Sequence, residues 1–130
     1  MFRAQYHFRQ SGRGLLAWDV RRLAALARGL PIRRIPVHGI AELDELHWFS
    51  AEDSKPTCRA VVEHCRLISS ADLSYPIILD NSGRVMDGMH RVCKALLQGI
   101  DTVAAVQFDV DPEPDYFGRD PDSLPYDDAE

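Results

Sequence analysis

The chain has 130 residues, of which 45% are hydrophobic and 27% charged, and its formal net charge is −5. This length and composition are typical of one globular domain that buries its core without disulfide or metal cross-links. The sequence contains no apolar run of the roughly 20 residues that a membrane-spanning helix needs, and residues 1–10 lack the apolar segment of a signal peptide. We therefore expect a cytoplasmic protein without a membrane partner.

The cysteines indicate neither a disulfide framework nor a zinc site. Cys58, Cys65 and Cys93 are odd in number and include no Cys-x-x-Cys pair. Disulfide scaffolds usually carry an even number of cysteines, and zinc sites use closely spaced pairs. The pattern is typical of a reducing compartment, and we expect three small buried side chains and no metal ligands.

The charge is unevenly distributed along the chain. Residues 1–40 carry eight arginines against one acid, and residues 109–130 carry nine acids against one arginine. An arginine-rich segment can meet phosphates, but it can equally pair with the acidic tail of its own chain or of a neighbour. Because the pI is near 5.5 and nucleic-acid-binding domains are usually basic, we do not expect nucleic acid as a partner. A homodimer or a protein partner stays open.

The first third of the chain predicts two strands and a helix. Evenly spaced aromatic residues within 1–14 predict a short strand that ends in a glycine-containing turn. Asp19 is suited to cap a helix that ends near Gly29. Residues 33–37 then predict a short strand, and their proline favours the edge of a sheet.

The next segment predicts a short helix or turn and then a longer helix. The short element covers residues 40–46 and is followed by a polar loop. Ser54 is suited to cap the longer helix, which we expect to run to about Ser69. Apolar residues at helical spacing predict the face that packs on the core. They are Cys58, Val61, Val62, Cys65 and Ile68.

A hairpin followed by a helix is the clearest local prediction. Residues 75–80 and 84–87 predict its two strands, joined by a turn at 81–83 that contains Gly83. Gly88 breaks the second strand, and a helix follows over residues 89–98.

Residues 101–108 predict a last strand, and beyond it Asp, Pro and Gly dominate. We expect residues 1–108 to form a single domain and residues 109–130 to be an acidic, proline-rich tail that wraps loosely on the surface or is disordered. The predicted fold class is α/β, with α+β layering: a small mixed sheet with packed helices.

The strand-to-helix junction Asp87-Gly88-Met89-His90-Arg91 is the best candidate for a functional centre. The first N–H groups of a helix have no intrahelical partner, and together with the helix dipole they attract anions. Gly88 lets a phosphate approach the backbone, because no Cβ is in the way. Donors and positive charge would follow within one helical turn from His90, Arg91 and Lys94.

Asp87, at the end of the strand, could orient a magnesium-bound water or accept a substrate hydroxyl. The same residues also suit a simple helix cap, in which Gly88 makes the turn and His90 and Arg91 form an exposed first turn. The motif alone does not decide between a cap and a phosphate site.

Residues 76–91, with Ala95-Leu96 and Gly99-Ile100, resemble the ParB N-terminal domain and sulfiredoxin superfamily, in which such a hairpin leads into a helix and a further strand. The resemblance covers residues 57–108, about 40% of the chain. It implies that the turn binds the phosphates of a nucleotide (ATP, ADP or CTP), together with magnesium. Gly88, Met89, His90 and Arg91 would then face phosphate, and Asp87 the metal or reacting group.

The resemblance leaves the activity open between phosphoryl transfer and nucleotide hydrolysis. Sulfiredoxins carry a reactive cysteine where this chain has Met89, so we do not expect sulfinic-acid reduction. An acidic tail follows where partition proteins carry a helix-turn-helix domain, so we do not expect centromere binding. The free-serine kinases of this fold place a catalytic acid soon after the first strand. The acids in that position here are Glu42, Asp44 and Glu45.

Neighbouring residues and other functions stay open as well. Arg59 and His64 of the preceding helix could reach the mouth of the pocket, and Trp48 and Phe49 could either cover the core or stack on a base. The alternative function is a non-catalytic protein-interaction module that has kept the fold. A DNA-binding, partition- or nuclease-like role is a weaker alternative, because of the charge.

Overall fold

The computed structural model of the chain describes residues 5–50 and 54–126. Within them it shows a mixed α+β domain with three α-helices and two β-sheets, which confirms the predicted class at this level. The strands are β1 (Tyr6–Ser11), β2 (Gly14–Asp19), β3 (Arg33–Pro36), β4 (Ile77–Leu79), β5 (Val85–Asp87), β6 (Thr102–Gln107) and β7 (Tyr116–Phe117). The α-helices are α1 (Val20–Ala27), α2 (Cys58–Ser70) and α3 (Met89–Leu97). None of these helices has the length and apolar character needed to cross a membrane.

The larger sheet has the strand order β3-β6-β4-β5 and contains the predicted hairpin. β4 and β5 are antiparallel, and Gly83 in their turn has a φ of +89°. α3 then connects β5 to β6, which lies parallel to β4. β3 is an edge strand, as its proline predicted, and a 3₁₀ turn at Ala41–Asp44 takes the place of the predicted short helix or turn.

The smaller sheet, β1-β2-β7, was only partly predicted. The strand over residues 1–14 is present as β1, and residues 1–4 lie outside the described part. β2 was missed, and β7 comes from the tail. The expectation of a loose tail is wrong for residues 109–126, because Tyr116 pairs with Ala17, Leu124 is buried, and the Trp18 indole N–H donates to the Pro112 carbonyl at 2.8 Å.

Three hydrophobic clusters are buried among the described residues, and two of them lie on opposite faces of the larger sheet, because side chains alternate across it. Ile77 and Leu79 of β4 face the helical layer, where they pack with Met89 and Val92 of α3. Ile78, between them, faces the smaller sheet. That second core contains Leu16, Trp18, Leu23, Ala27, Ile78, Met86, Val106 and Phe108.

Helix α2 corrects one prediction about packing. Its cap is Thr57, whose hydroxyl accepts from the Ala60 N–H, rather than Ser54. The apolar stripe that we expected to be buried is largely exposed, with Val62 66% accessible, and the buried residue of this helix is His64. Two of the three cysteines are therefore exposed as well, contrary to expectation: Cys58 and Cys65.

The arginine-rich start pairs with the acidic tail of the same chain. Three guanidinium groups, spread over β1, the β1–β2 turn and α1, meet three carboxylates at alternate positions of the tail. The pairs are Arg9–Asp111 at 3.2 Å, Arg13–Glu113 at 3.6 Å and Arg22–Asp115 at 3.3 Å. Of the alternatives raised by the charge pattern, these contacts fit pairing within one chain. Each such surface pair contributes about 0–1 kcal/mol.

Gly88 is required by its backbone and by its neighbour in the core. Its φ is +109°, and a Cβ added there would lie 2.7 Å from Cγ2 of Ile77. The packing of the junction against β4 therefore requires the missing Cβ, whether or not a ligand approaches it.

Gly88→Ala should lower the free energy of unfolding by about 3 kcal/mol, because it combines a strained φ with overpacking. Gly99→Ala is the matched control, since Gly99 also has a positive φ (+70°) but nothing lies within 4 Å of its added Cβ. The control should lose only about 1 kcal/mol. If urea unfolding showed the same loss of free energy of unfolding for both variants, the contact between an added Cβ at Gly88 and Ile77 would be contradicted.

Candidate functional site

A cleft of about 1620 Å³ opens beside the N-terminus of α3. Its walls come from β1, from the β4–β5 hairpin and from residues 42–48, and residues 120–126 contribute to its rim. β1 and β5 are edge strands of their two sheets. The cleft therefore lies where the two sheets end next to one another.

The structure places most of the predicted site residues at this cleft. Those that line it are Asp87, Gly88, Met89, His90, Glu42, Asp44 and Glu45. Arg91 and Lys94 do not line it. The Arg91 guanidinium donates to the Pro76 carbonyl at 2.6 Å and to the Asp87 carboxylate at 3.1 Å.

Lys94 has a structural contact of the same kind. Its ammonium group donates to the carbonyl oxygens of Ser69 at 3.0 Å and Ala71 at 2.6 Å, at the C-terminal end of α2. Cations are favourable there, because the last carbonyls of a helix lack intrahelical partners. Arg91 and Lys94 thus tie α3 to its neighbours, and the positive charge at the cleft comes from other residues.

The first residues of α3 line the cleft. The first intrahelical hydrogen bonds are donated by Arg91 and Val92, both to the carbonyl of Gly88. The amides of Met89 and His90 precede them, and both residues line the cleft. A helix N-terminus of this kind attracts anions, so the predicted phosphate site at this position stays a prediction.

His90 forms a pair with His64 beneath the ring of Trp48. His64 Nδ1 and His90 Nε2 are 2.8 Å apart, and the indole stacks on both imidazoles with centroid distances of 4.2 and 4.4 Å. Burial, followed by the neighbouring His64, His47 and Arg91, lowers the pKa of His90 to about 4. His90 is therefore a neutral imidazole at neutral pH and supplies hydrogen bonds rather than charge. Sequence reasoning noted these residues but had no signal for their contact.

Asp80, which the sequence placed only at a strand end, organises the floor of the cleft. It is 2% exposed, and its Oδ1 accepts the backbone N–H groups of Ser82 and Arg84, each at 2.9 Å. Its Oδ2 accepts from the Arg9 guanidinium at 2.8 Å. Burial opposes its ionisation, but the hydrogen bonds from Arg84 and Ser82 and the Arg9 charge prevail, and the pKa of Asp80 is lowered.

The three candidate catalytic acids have different environments. Glu42 is buried, and its Oε2 accepts the Val85 N–H at 2.7 Å and lies 3.3 Å from Nε of Arg84. Glu45 accepts two hydrogen bonds from Arg84, at 2.8 and 2.6 Å, which lower its pKa. The side chain of Asp44, which ends the 3₁₀ turn, has no hydrogen bond or ion pair with any residue in the described ranges, so its carboxylate is the least committed of the three.

Carboxylates outnumber guanidinium groups in the lining of the cleft. Among the described residues the carboxylates are Glu42, Asp44, Glu45, Asp80, Asp87, Asp120 and Asp122, and the guanidinium groups are Arg9 and Arg84. Burial raises the pKa of Asp87, although Arg91 opposes this shift. Within residues 5–50 and 54–126, no three His, Cys, Asp or Glu side chains are grouped as ligands for a metal ion.

No protein-family model, no curated protein and no solved structure matches this chain. The function of the cleft is therefore inferred from its own geometry and chemistry.

The histidines of the cleft predict a loss of stability in mild acid. Burial, then Arg9 and His47, lower the pKa of His7 to about 4, so between pH 6.5 and 4 the unfolded chain binds more protons than the native protein. The free energy of unfolding therefore falls as the pH falls, by about 2 kcal/mol from His7 alone between pH 7 and pH 5.

His7→Gln should remove this part of the pH dependence, as measured by urea unfolding at both pH values. His38→Gln is the control, because His38 is exposed, and it should keep the wild-type dependence. A pH dependence in His7→Gln equal to that of the wild type would contradict a half-buried His7 that stays neutral down to about pH 4.

Proposed function

We propose that this protein binds a magnesium–nucleotide, or a closely related phosphorylated ligand, in the cleft, with the phosphates at the N-terminus of α3. The observation that carries the proposal is the opening of that helix end into a large cleft beside Asp87 and His90. An exposed helix N-terminus offers N–H donors and a positive dipole end to a phosphate.

The charge of the cleft favours a nucleotide that arrives with its metal. Seven carboxylates against two guanidinium groups would repel a bare polyphosphate. Magnesium is usually held by one or two carboxylates together with substrate phosphates and water, rather than by a cage of protein ligands. Asp87 is the carboxylate suited to this role, and the bound ion would neutralise phosphate charge.

Arg84 and Arg9 replace Arg91 and Lys94 as the cationic groups of the proposed site. Arg84 lines the cleft, and its side chain is 47% exposed although it is paired with Glu42 and Glu45. A guanidinium group can exchange one carboxylate for a phosphate oxygen without losing the planar, two-pronged geometry. Arg9 is held more firmly, by Asp80.

The order of elements supports a ParB/sulfiredoxin-like domain. The hairpin of β4 and β5 leads directly into α3 and then into β6, parallel to β4. This is the succession of hairpin, helix and strand that the sequence resemblance implies. We propose that the nucleotide-binding turn of that superfamily corresponds to residues 87–90 here.

We further propose that the bound nucleotide is turned over, by transfer to an acceptor or to water. Asp44 is the best placed general base, because the carboxylates of Glu42 and Glu45 are engaged by Val85 and Arg84. A base must be able to accept a proton from the attacking hydroxyl or water. His90, as a neutral imidazole, would hydrogen-bond the ligand.

Nucleotide binding should respond to charge at the first turn of α3. We expect His90→Glu to bind magnesium–ATP, –ADP, –CTP or –GTP at least tenfold more weakly than His90→Gln, a difference of about 1.4 kcal/mol. The two variants have the same size and both lose the bond to His64, so they differ in charge at the phosphate site. Isothermal titration calorimetry measures the difference.

Lys94→Met should bind within about twofold of the wild type, because the Lys94 ammonium contacts α2 and not the cleft. Equal binding by His90→Glu and His90→Gln would contradict the placement of the phosphates. No binding of any of the four nucleotides to the folded wild type would contradict the proposal as a whole.

Asp44→Asn should reduce turnover of the preferred nucleotide by about 10²-fold or more, the usual contribution of a general base, while calorimetric affinity stays within about threefold. Glu45→Gln is the control, since Glu45 is committed to Arg84, and it should retain most activity. If Asp44→Asn turned over the nucleotide at the wild-type rate, Asp44 would not be the general base.

A non-catalytic interaction module is the second candidate, and the acid-rich lining of the cleft favours it. For an interaction module, the nucleotide concentration in a mixture with the protein and magnesium should stay constant over time. An enzyme should lower it, and only when magnesium is present. DNA binding has less support, because Arg9, Arg13 and Arg22 are paired with acids of the tail.

A further inference from the structure

Along the outer edge of β1, a row of backbone groups has no hydrogen-bond partner among residues 5–50 and 54–126. In the β1–β2 ladder Tyr6 faces Asp19 and His7 faces Trp18, and the Val20 N–H donates to the Gln5 carbonyl at 2.9 Å. Because residues of an antiparallel pair alternate between bonded and non-bonded positions, His7 and Arg9 bond to β2.

Tyr6, Phe8 and Gln10 therefore direct their N–H and C=O groups away from β2. These six backbone groups have no hydrogen bond to any part of the chain that the structure describes. All three residues line the cleft, and their exposure increases along the strand from the buried Tyr6 to the exposed Gln10.

The other sheet edges are protected in ways that β1 is not. β3 contains Pro36, which lacks an N–H, and carries two arginines. β5 has three residues, and the carboxylate of Glu42 accepts its Val85 N–H. β7 has two residues. β1 has six residues and no proline, and a long unprotected edge is a template for pairing with another strand.

We propose that the edge of β1 binds an extended, basic segment of a partner protein, which adds to the smaller sheet as a fourth strand. This mode takes its affinity from main-chain hydrogen bonds and its selectivity from the side chains on either face of the added strand. The inference does not depend on nucleotide binding.

The surroundings of the edge specify the chemistry of the segment. On one face of β1, the half-buried rings of Phe8, Tyr116 and Tyr126 pack around the buried Tyr6 and leave a partly exposed aromatic surface. Carboxylates dominate the rest of the cleft, with Asp120 and Asp122 on the rim and Asp44 on the opposite wall. Alternate residues of the added strand would therefore be apolar, and the others would be lysine or arginine.

The probe is a short, end-blocked, fluorescein-labelled peptide of alternating lysine and valine, with a glutamate-for-lysine peptide as its counterpart. We expect the basic peptide to bind at least tenfold more tightly by fluorescence anisotropy, and to slow hydrogen exchange at the amides of Tyr6, Phe8 and Gln10. The amides of His7 and Arg9 are already bonded to β2 and serve as internal references.

Phe8→Pro should weaken binding of the basic peptide at least tenfold, because it removes an outward N–H without removing a bond to β2. Phe8→Val keeps that N–H and should bind within about threefold of the wild type. Gln10→Pro provides the same test at an exposed position if Phe8→Pro does not fold.

Equal binding of the two peptides would overturn the basic character of the segment. Binding that leaves exchange at the three outward amides unchanged, or that survives both proline variants, would overturn the β1 edge as the site. The proposal itself would be overturned if the protein bound no peptide at millimolar concentration. It would also be overturned if the β1 edges of two copies of this protein paired with each other instead of with the peptide.

Discussion

The carboxylate of Asp80 joins the two sheets of this protein, and the geometry of the cleft depends on it. One of its oxygens holds the turn of the β4–β5 hairpin through the amides of Ser82 and Arg84, and the other holds Arg9 of β1. A buried carboxylate that loses its cationic partner costs about 3–5 kcal/mol. The hairpin and β1 are therefore held in one fixed relation.

That relation determines where α3 begins. β5 follows directly from the turn that Asp80 holds, and Gly88 turns the chain over Ile77 into the helix. Met89 and His90 consequently line the same cleft as Arg9 and Arg84. Glu42 and Glu45 form hydrogen bonds to the hairpin, and these bonds position residues 42–48, which form the third wall of the cleft.

Two electrostatic properties of the cleft constrain what it can bind. Its histidines are neutral, because burial lowers the pKa values of His7 and His90 to about 4. Among the described residues that line it, carboxylates are more numerous than guanidinium groups. A ligand with phosphates would therefore have to bring its own cation, and a peptide ligand would have to be basic. Both proposals follow from the same charge distribution, applied to different parts of the cleft.

Local signals in the sequence predicted the elements that form the junction. Gly83 and Gly88 both adopt the positive φ that their positions in the turn and at the helix start require, and Asp19 caps α1. These features depend on neighbouring residues, so the sequence contains most of the relevant physics.

Features that depend on distant contacts could not be predicted in the same way. Spacing showed that α2 has an apolar stripe, but the helix buries His64 because Trp48 and His90 are packed against it. Arg91 was expected at the phosphate because of its position in the motif, yet the carbonyls of Tyr75 and Pro76 lie within its reach. β7 was missed because it exists only through pairing with β2.

The most direct test of the central claim is the change in backbone amide NMR shifts of the wild-type protein on titration with magnesium–ATP, –ADP, –CTP and –GTP. At least one of the four nucleotides should perturb the amides of Gly88, Met89 and His90 most strongly, and the Nε–H signal of Arg84 should shift with them. Lys94 and the C-terminal end of α2 should stay unchanged. Perturbations confined to another surface, or none with any of the four nucleotides, would contradict the assignment of the α3 N-terminus as a phosphate site.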